Sequence, residues 1–224
     1  MKEWLENQLR NLELSEESRF YLLGRGAEPQ SFTKMNVVTW RTAEAPAPCK
    51  DFQKQFGTHG QRMDGYLVFP LYSMRSQLIG FITRSMENKF YSKYLMGLDY
   101  NWNPVLLGLH RALPKIWNGG DLWIVEGIFD LFAMEHVIPP KDGIVAAGRA
   151  MLTWQHYDFL RRFNIYVNLV FDMDAAGRNG ASKVMYNLNL HSIRGRNINY
   201  IGGKDPGEIW DQSGEMGLKD AFIF

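Results

Sequence analysis

The chain has 224 residues, enough for one large domain or two small ones. With 46% hydrophobic and 22% charged residues it can bury a core, and a net charge of +1 excludes a polycation, so any nucleic-acid surface must be a local patch. The single Cys49 excludes an intrachain disulfide framework and a multi-cysteine zinc site, MKEWLENQLR lacks a signal peptide's apolar stretch, and no apolar run is long enough to span a membrane.

In chain order, residues 2–13 and 15–23 read as two short helices, the second opening on Ser15 with Glu16 and Glu17 in its first turn. Gly24 and Gly26 close it. Residues 42–60, rich in Pro, Ala and Gly, read as a loop or linker. GYLVFPLYSMRSQLIGFITR, 65–84, places two apolar runs around a polar turn and predicts a β-hairpin, with KFYSKYL, 89–95, as a third strand or edge. From residue 121 the rhythm changes. DLWIVEG (121–127), GIVAAG (143–148), NIYVNLVFDMD (164–174) and NINYIGG (197–203) read as strands. IFDLFAMEHV (128–137), TWQHYDFLRRF (153–163), AAGRNGASKVMYNLNL (175–190) and DPGEIWDQ (205–212) read as helices. Such alternation argues for a parallel sheet with helices on its faces. The chain is therefore expected to be α/β, with an N-terminal mixed α/β lobe over 1–118 and a C-terminal Rossmann-like lobe over 119–224.

Three of these strands end in carboxylates: the first at Glu126, the third at Asp172 and Asp174, and the last runs into Asp205 with Glu208 behind it. In open parallel sheets ligands gather at the carboxyl ends of the strands, so these acids converge if the strands are parallel. Asp130 follows Glu126 by one helical turn. Carboxylates without His or Cys partners suit a hard divalent cation, Mg²⁺ or Mn²⁺, bound through oxygen, which would offset the repulsion between Asp172 and Asp174. Ala175, Ala176 and Gly177 clear space at a helix N-terminus, where anions are welcome. The plain alternative is that each acid caps the helix that follows it.

The set resembles the TOPRIM domain of DnaG-type primases, topoisomerases, OLD-family nucleases and RecR-type proteins. The matching stretches are Val125-Glu126-Gly127 with Asp130, Phe171 through Gly177 with Asp172 and Asp174, and Gly203-Lys204-Asp205-Pro206. Upstream, YLLGRG (21–26), GYLVFPL (65–71) with LIGFITR (78–84), SKYL (92–95) and LLGLHRA (106–112) resemble the core of DnaG-type bacterial and phage primases alone. The resemblance implies a primase-core lobe followed by a TOPRIM lobe. It implies a template-directed RNA polymerase that makes short primers on single-stranded DNA from NTPs, a nucleotidyltransferase using Mg²⁺ or Mn²⁺. Glu126, Asp172 and Asp174 match catalytic and metal-binding acids, with Asp205 as a further metal contributor. Arg84, Lys93 and Asp130 fall where template or nucleotide is handled.

The sequence departs from the family where Asp205-Pro206-Gly207 stands for the usual DPD. It departs again where GLDYNWNP holds no lysine, where Gly148-Arg149 replaces GT, and where GFITR replaces GFGGR. With one cysteine and no Walker motif, template recognition is expected to fall to a separate zinc-binding protein or a replicative helicase. A minimal core of phage or plasmid origin, working in the cytoplasm, is the expectation. Lys89, Lys93 and Arg84, interleaved with Phe90, Tyr91 and Tyr94, suit single-stranded nucleic acid or an ordinary solvated edge. Arg161, Arg162, Arg194 and Arg196 read as surface charge. The five histidines show no zinc-ligand spacing, and Tyr157 lacks the separate domain a topoisomerase nucleophile needs. The rival functions are a TOPRIM nuclease using the same acids and a non-catalytic DNA-binding replication adaptor.

Overall fold

The computed structural model describes residues 2–41, 64–87, 91–95 and 104–222. The loop expected over 42–60, and Lys89 and Phe90, lie outside them. The N-terminal part opens with α1 (Lys2–Asn11), α2 (Glu16–Gly24) and α3 (Pro29–Lys34). Ser15 caps α2 as its spacing implies, its hydroxyl accepting from the Ser18 N–H at 3.2 Å. An antiparallel sheet follows in the order β1 (Val38–Thr39), β2 (Leu67–Tyr72), β3 (Leu78–Arg84), β4 (Tyr91–Leu95). The β2–β3 turn is held by Ser73, whose Oγ accepts from the N–H groups of Arg75 and Gln77, both at 3.2 Å. Pro70 is tolerated inside β2 because β1 pairs only with Leu67 and Val68, which leaves that side of Pro70 without a ladder partner in β1.

The C-terminal part is a parallel sheet in the order β6 (Gly143–Ala146), β5 (Leu122–Val125), β7 (Val167–Val170), β8 (Gly195–Asn197). Its helices are α4 (Leu109–Trp117), α5 (Ile128–Met134), α6 (Trp154–Arg162), α7 (Ala175–Leu190) and α8 (Pro206–Ala221). Strands β5, β6 and β7 are buried along their whole length, as expected of parallel strands covered on both faces. Alternation along β5 divides the core. Leu122 and Ile124 face a cluster built with α4, α6 and α7, while Trp123 and Val125 face a second cluster shared with the N-terminal sheet. All seven residues of α5 are buried, and α5 lies in the second cluster together with Phe69, Leu71 and Ile79. The rings of Phe69 and Phe132 approach to 6.4 Å. This layer fixes the hairpin relative to the carboxyl ends of the parallel strands.

Five elements differ from expectation, among them α3 and β1, which lie where the sequence reading placed none. NINYIGG is not a strand: β8 ends at Asn197, and the chain then leaves the sheet and turns at Gly202 with φ +96°. The alternating Ile198 and Tyr200 misled because Tyr200 is buried as a loop anchor, stacked on Phe222 at 4.7 Å. The last helix runs on to Ala221 across a break at Gly214 rather than stopping at 212. Helix α4 has no counterpart in the sequence reading because Pro114 sits inside it, where proline normally argues against a helix.

Candidate functional site

Glu126, Asp172 and Asp174 stand where strands end, whereas Asp205, expected at the end of the last strand, stands at the start of α8 after a loop. Glu126 follows β5 directly, and its carbonyl accepts from the Gly148 N–H at 2.8 Å, so the β5–β6 ladder runs on one step into the site. Asp172 and Asp174 follow β7. Gly177 makes their approach possible, since a Cβ there would meet the Asp172 carbonyl oxygen at 2.1 Å. Glu126, Asp172 and Asp205 line one cleft of about 280 Å³ together with Arg25, Arg84 and Phe129. Asp174 does not line it, and its side chain is 39% exposed.

The capping alternative holds for two of the acids. Asp174 caps α7 by accepting from the Gly177 N–H at 2.8 Å, and Asp205 caps α8 by accepting from the Glu208 N–H at 2.7 Å. Asp130 is buried, and its two oxygens accept from the backbone N–H groups of Gly127 at 2.8 Å and Gly207 at 3.0 Å. It thereby ties the loop after β5 to the start of α8. Glu126 differs: its Oε2 is buried with no hydrogen-bond partner among the described residues. A carboxylate oxygen without a donor is what a hard cation would complete.

Electrostatics separate the group further. Burial, then the charges of Asp172 and Asp174, push Glu126 up to about 7 from an ordinary 4.5. Burial likewise raises Asp130 and Asp172. Asp174 is lowered, first by the hydrogen bond from the Gly177 N–H. Burial and four surrounding acids raise Tyr200, which stays a neutral donor to the carbonyls of Phe171 (3.1 Å) and Lys204 (3.0 Å).

Lys204 carries the positive charge at this edge. Its ammonium lies 3.2 Å from Asp172 Oδ2 and 3.3 Å from Asp174 Oδ2. Those two contacts hold its own proton more tightly than usual. Among the described residues, no three His, Cys, Asp or Glu side chains stand close enough to hold one metal ion as they are. Above the acids two guanidiniums flank one ring: Arg25 lies 4.5 Å and Arg84 5.4 Å from the Phe129 centroid. Arg25 also pairs with Asp211. Lys93 lies on β4 opposite Ile82. Glu208 is turned away, its carboxylate accepting from the Lys204 N–H at 2.6 Å.

Sequence reasoning missed Arg25, Phe129, Tyr200 and Lys204 as site residues. Arg25 and Lys204 lie inside the quoted stretches YLLGRG and Gly203-Lys204-Asp205-Pro206, so adjacency to the motif was the available signal. Phe129 and Tyr200 carry no signal apart from an ordinary core aromatic.

Residues 123–210 match the Toprim-like family. The DNA primase of Campylobacter jejuni is 27% identical over 146 residues, which cover 64% of this chain and 24% of that protein. The chain spans about a quarter of the length of the curated relatives it matches. The zinc-binding and RNA polymerase domains of Aquifex aeolicus primase superpose with a TM-score of 0.73 at 21% identity, covering 98% of this chain and 59% of that one. A DnaG primase catalytic domain bound to single-stranded DNA superposes with a TM-score of 0.71 at 20% identity, over 97% of this chain and 76% of that one. Residues 123–210 are thus a Toprim-like domain, and the chain as a whole has the fold of a DnaG-type primase catalytic core.

Proposed function

We propose that this chain is a DNA primase core, polymerising short RNA primers on a single-stranded DNA template. The observation that carries the reading is the cleft itself, where Glu126 and Asp172 at the ends of adjacent parallel strands face Arg25 and Arg84. Acids below and guanidiniums above suit a triphosphate bound through a divalent cation.

The donor set fits Mg²⁺ or Mn²⁺: all oxygen, with one Glu126 oxygen lacking any other partner among the described residues. Asp172 and Asp174, with Asp205 and Glu126 beside them, would hold it. Bound there, the ion supplies charge stabilisation for the attacking and leaving oxygens of an in-line displacement. The chain's own residues do the rest. Arg25 and Arg84 bind phosphate oxygens of nucleotide or template, each oriented by its contact with Phe129. Glu126 accepts the proton of the primer 3′-hydroxyl as that oxygen attacks the α-phosphorus and pyrophosphate leaves.

A second reading, a DNA-binding adaptor without catalysis, is favoured by one observation: among the described residues no three acids already stand within reach of one ion. The test is incubation of the full chain with Mg²⁺, single-stranded DNA and labelled NTPs. Labelled RNA is the expected product. Shortened DNA would point to a nuclease, and binding without turnover to the adaptor.

A further inference from the structure

We propose that Lys204 is a tethered counter-ion, its ammonium holding the place of a divalent cation between Asp172 and Asp174 and giving way when that cation enters. The exchange presupposes that the acidic edge takes a metal, as proposed above.

The geometry is that of a built position rather than a passing surface pair. A lone exposed lysine gains little from one carboxylate because its long side chain must be immobilised. Here the ammonium touches Oδ2 of both aspartates, at 3.2 and 3.3 Å. The Lys204 backbone is pinned three times over. Its carbonyl accepts from the Met173 N–H at 2.7 Å and from the Tyr200 hydroxyl at 3.0 Å, and its N–H donates to Glu208 at 2.6 Å. Met173 lies between the two aspartates, so the first of these bonds ties Lys204 to the very segment it neutralises. The departure of residues 198–204 from the sheet thus has a consequence: the loop delivers a positive charge onto the end of the neighbouring strand.

Charge and exposure favour exchange over permanent pairing. One ammonium leaves Asp172 and Asp174 with a net negative charge, and Glu126 and Asp205 line the same cleft. A divalent ion in the same place supplies one more positive charge. The Lys204 side chain is half exposed, so its four-carbon stem can swing the ammonium into water without unfolding the loop. Until then the ammonium offsets half of the pair's charge, which lessens the repulsion at the metal-free edge.

The test is Mn²⁺ binding to the full chain at low ionic strength without nucleotide, read from the paramagnetic signal of the free ion, with melting of the metal-free proteins alongside. Lys204→Met should bind Mn²⁺ about tenfold more tightly than wild type, because no tethered cation competes, and should melt at a lower temperature without metal. Lys204→Arg, which keeps the charge, should stay near the wild-type affinity. Unchanged or weaker Mn²⁺ binding by Lys204→Met, with binding intact in wild type, would overturn the exchange and leave the metal site standing. No Mn²⁺ binding by any of the three proteins would overturn the metal reading and the exchange together.

Discussion

Asp130 and Asp172 stand at the carboxyl edge of the same parallel sheet, on the segments that follow β5 and β7, and their surroundings differ. Both oxygens of Asp130 are used by backbone N–H groups, of Gly127 and Gly207, deep in the interior. Asp172 meets a lysine that is half in solvent, and beside it Glu126 keeps a buried oxygen with no partner among the described residues. Asp130 is absorbed into the architecture by two backbone hydrogen bonds. The acids around it are the ones proposed to take a charge from outside, although a short motif contains both kinds. Residue type and position in the motif do not tell them apart. What sets Asp130 apart is a backbone donor on each of its two oxygens.

Substitutions at the two carboxylates should have opposite consequences. Asp172→Asn should reduce RNA synthesis by about a thousandfold while leaving urea unfolding near that of wild type, because it removes charge from the cation's place without orphaning a buried group. Asp130→Ala should behave in the opposite sense, costing about 2 kcal/mol in urea unfolding as the buried Gly207 N–H and the partly buried Gly127 N–H lose their acceptor. Gly207→Ala should cost about 1 kcal/mol by the same measurement. Its Cβ would sit 3.2 Å from Asp130 Oδ1 and 3.3 Å from Asp205 Oδ1, crowding the carboxylate that α8 depends on. The glycine that replaces the family's second acidic residue in Asp205-Pro206-Gly207 therefore sits close against Asp130.

A pH titration sharpens the contrast with a smaller effect. The folded protein holds Glu126 at about 7 against an ordinary 4.5, so the unfolded chain releases that proton first. Stability of the metal-free protein should be highest below pH 4.5 as far as this group is concerned, and should fall as pH rises toward 7. Since Glu126 is only half-buried, solvent screening limits its share to about 1 kcal/mol. Glu126→Gln should flatten that part of the decline in thermal melts between pH 4 and 8, the remainder belonging to Asp130 and Asp172, which shift in the same direction. A Glu126→Gln profile parallel to wild type would remove the electrostatic basis for its role as proton acceptor.

Much of this was legible in the sequence because local chemistry and global fold agree. The Ser15 cap, the Ser73 turn and the 175–190 helix announce themselves in residues that act on their own backbone neighbours. The parallel sheet follows from the alternation of apolar runs with helical spacing. Long-range packing decided the rest. Tyr200 reads as strand but anchors a loop, Pro114 reads as a stop but is carried inside α4, and Gly214 bends α8 without ending it. At the site, the position of each acid was visible, but the division of labour among them was not. It depends on N–H groups of Gly127 and Gly207, 80 residues apart in the chain, meeting at one carboxylate. Lys204 was equally hidden, because nothing local says that its loop leaves the sheet to reach Asp172 and Asp174.

In the proposed reading Asp172 binds a cation and Asp130 does not. Calorimetric titration of Mn²⁺ into wild type, Asp172→Asn and Asp130→Asn at pH 8 tests it most directly. Binding by wild type, its loss in Asp172→Asn, and its retention in whatever fraction of Asp130→Asn remains folded is the expected result. Equal affinity in wild type and Asp172→Asn would contradict it.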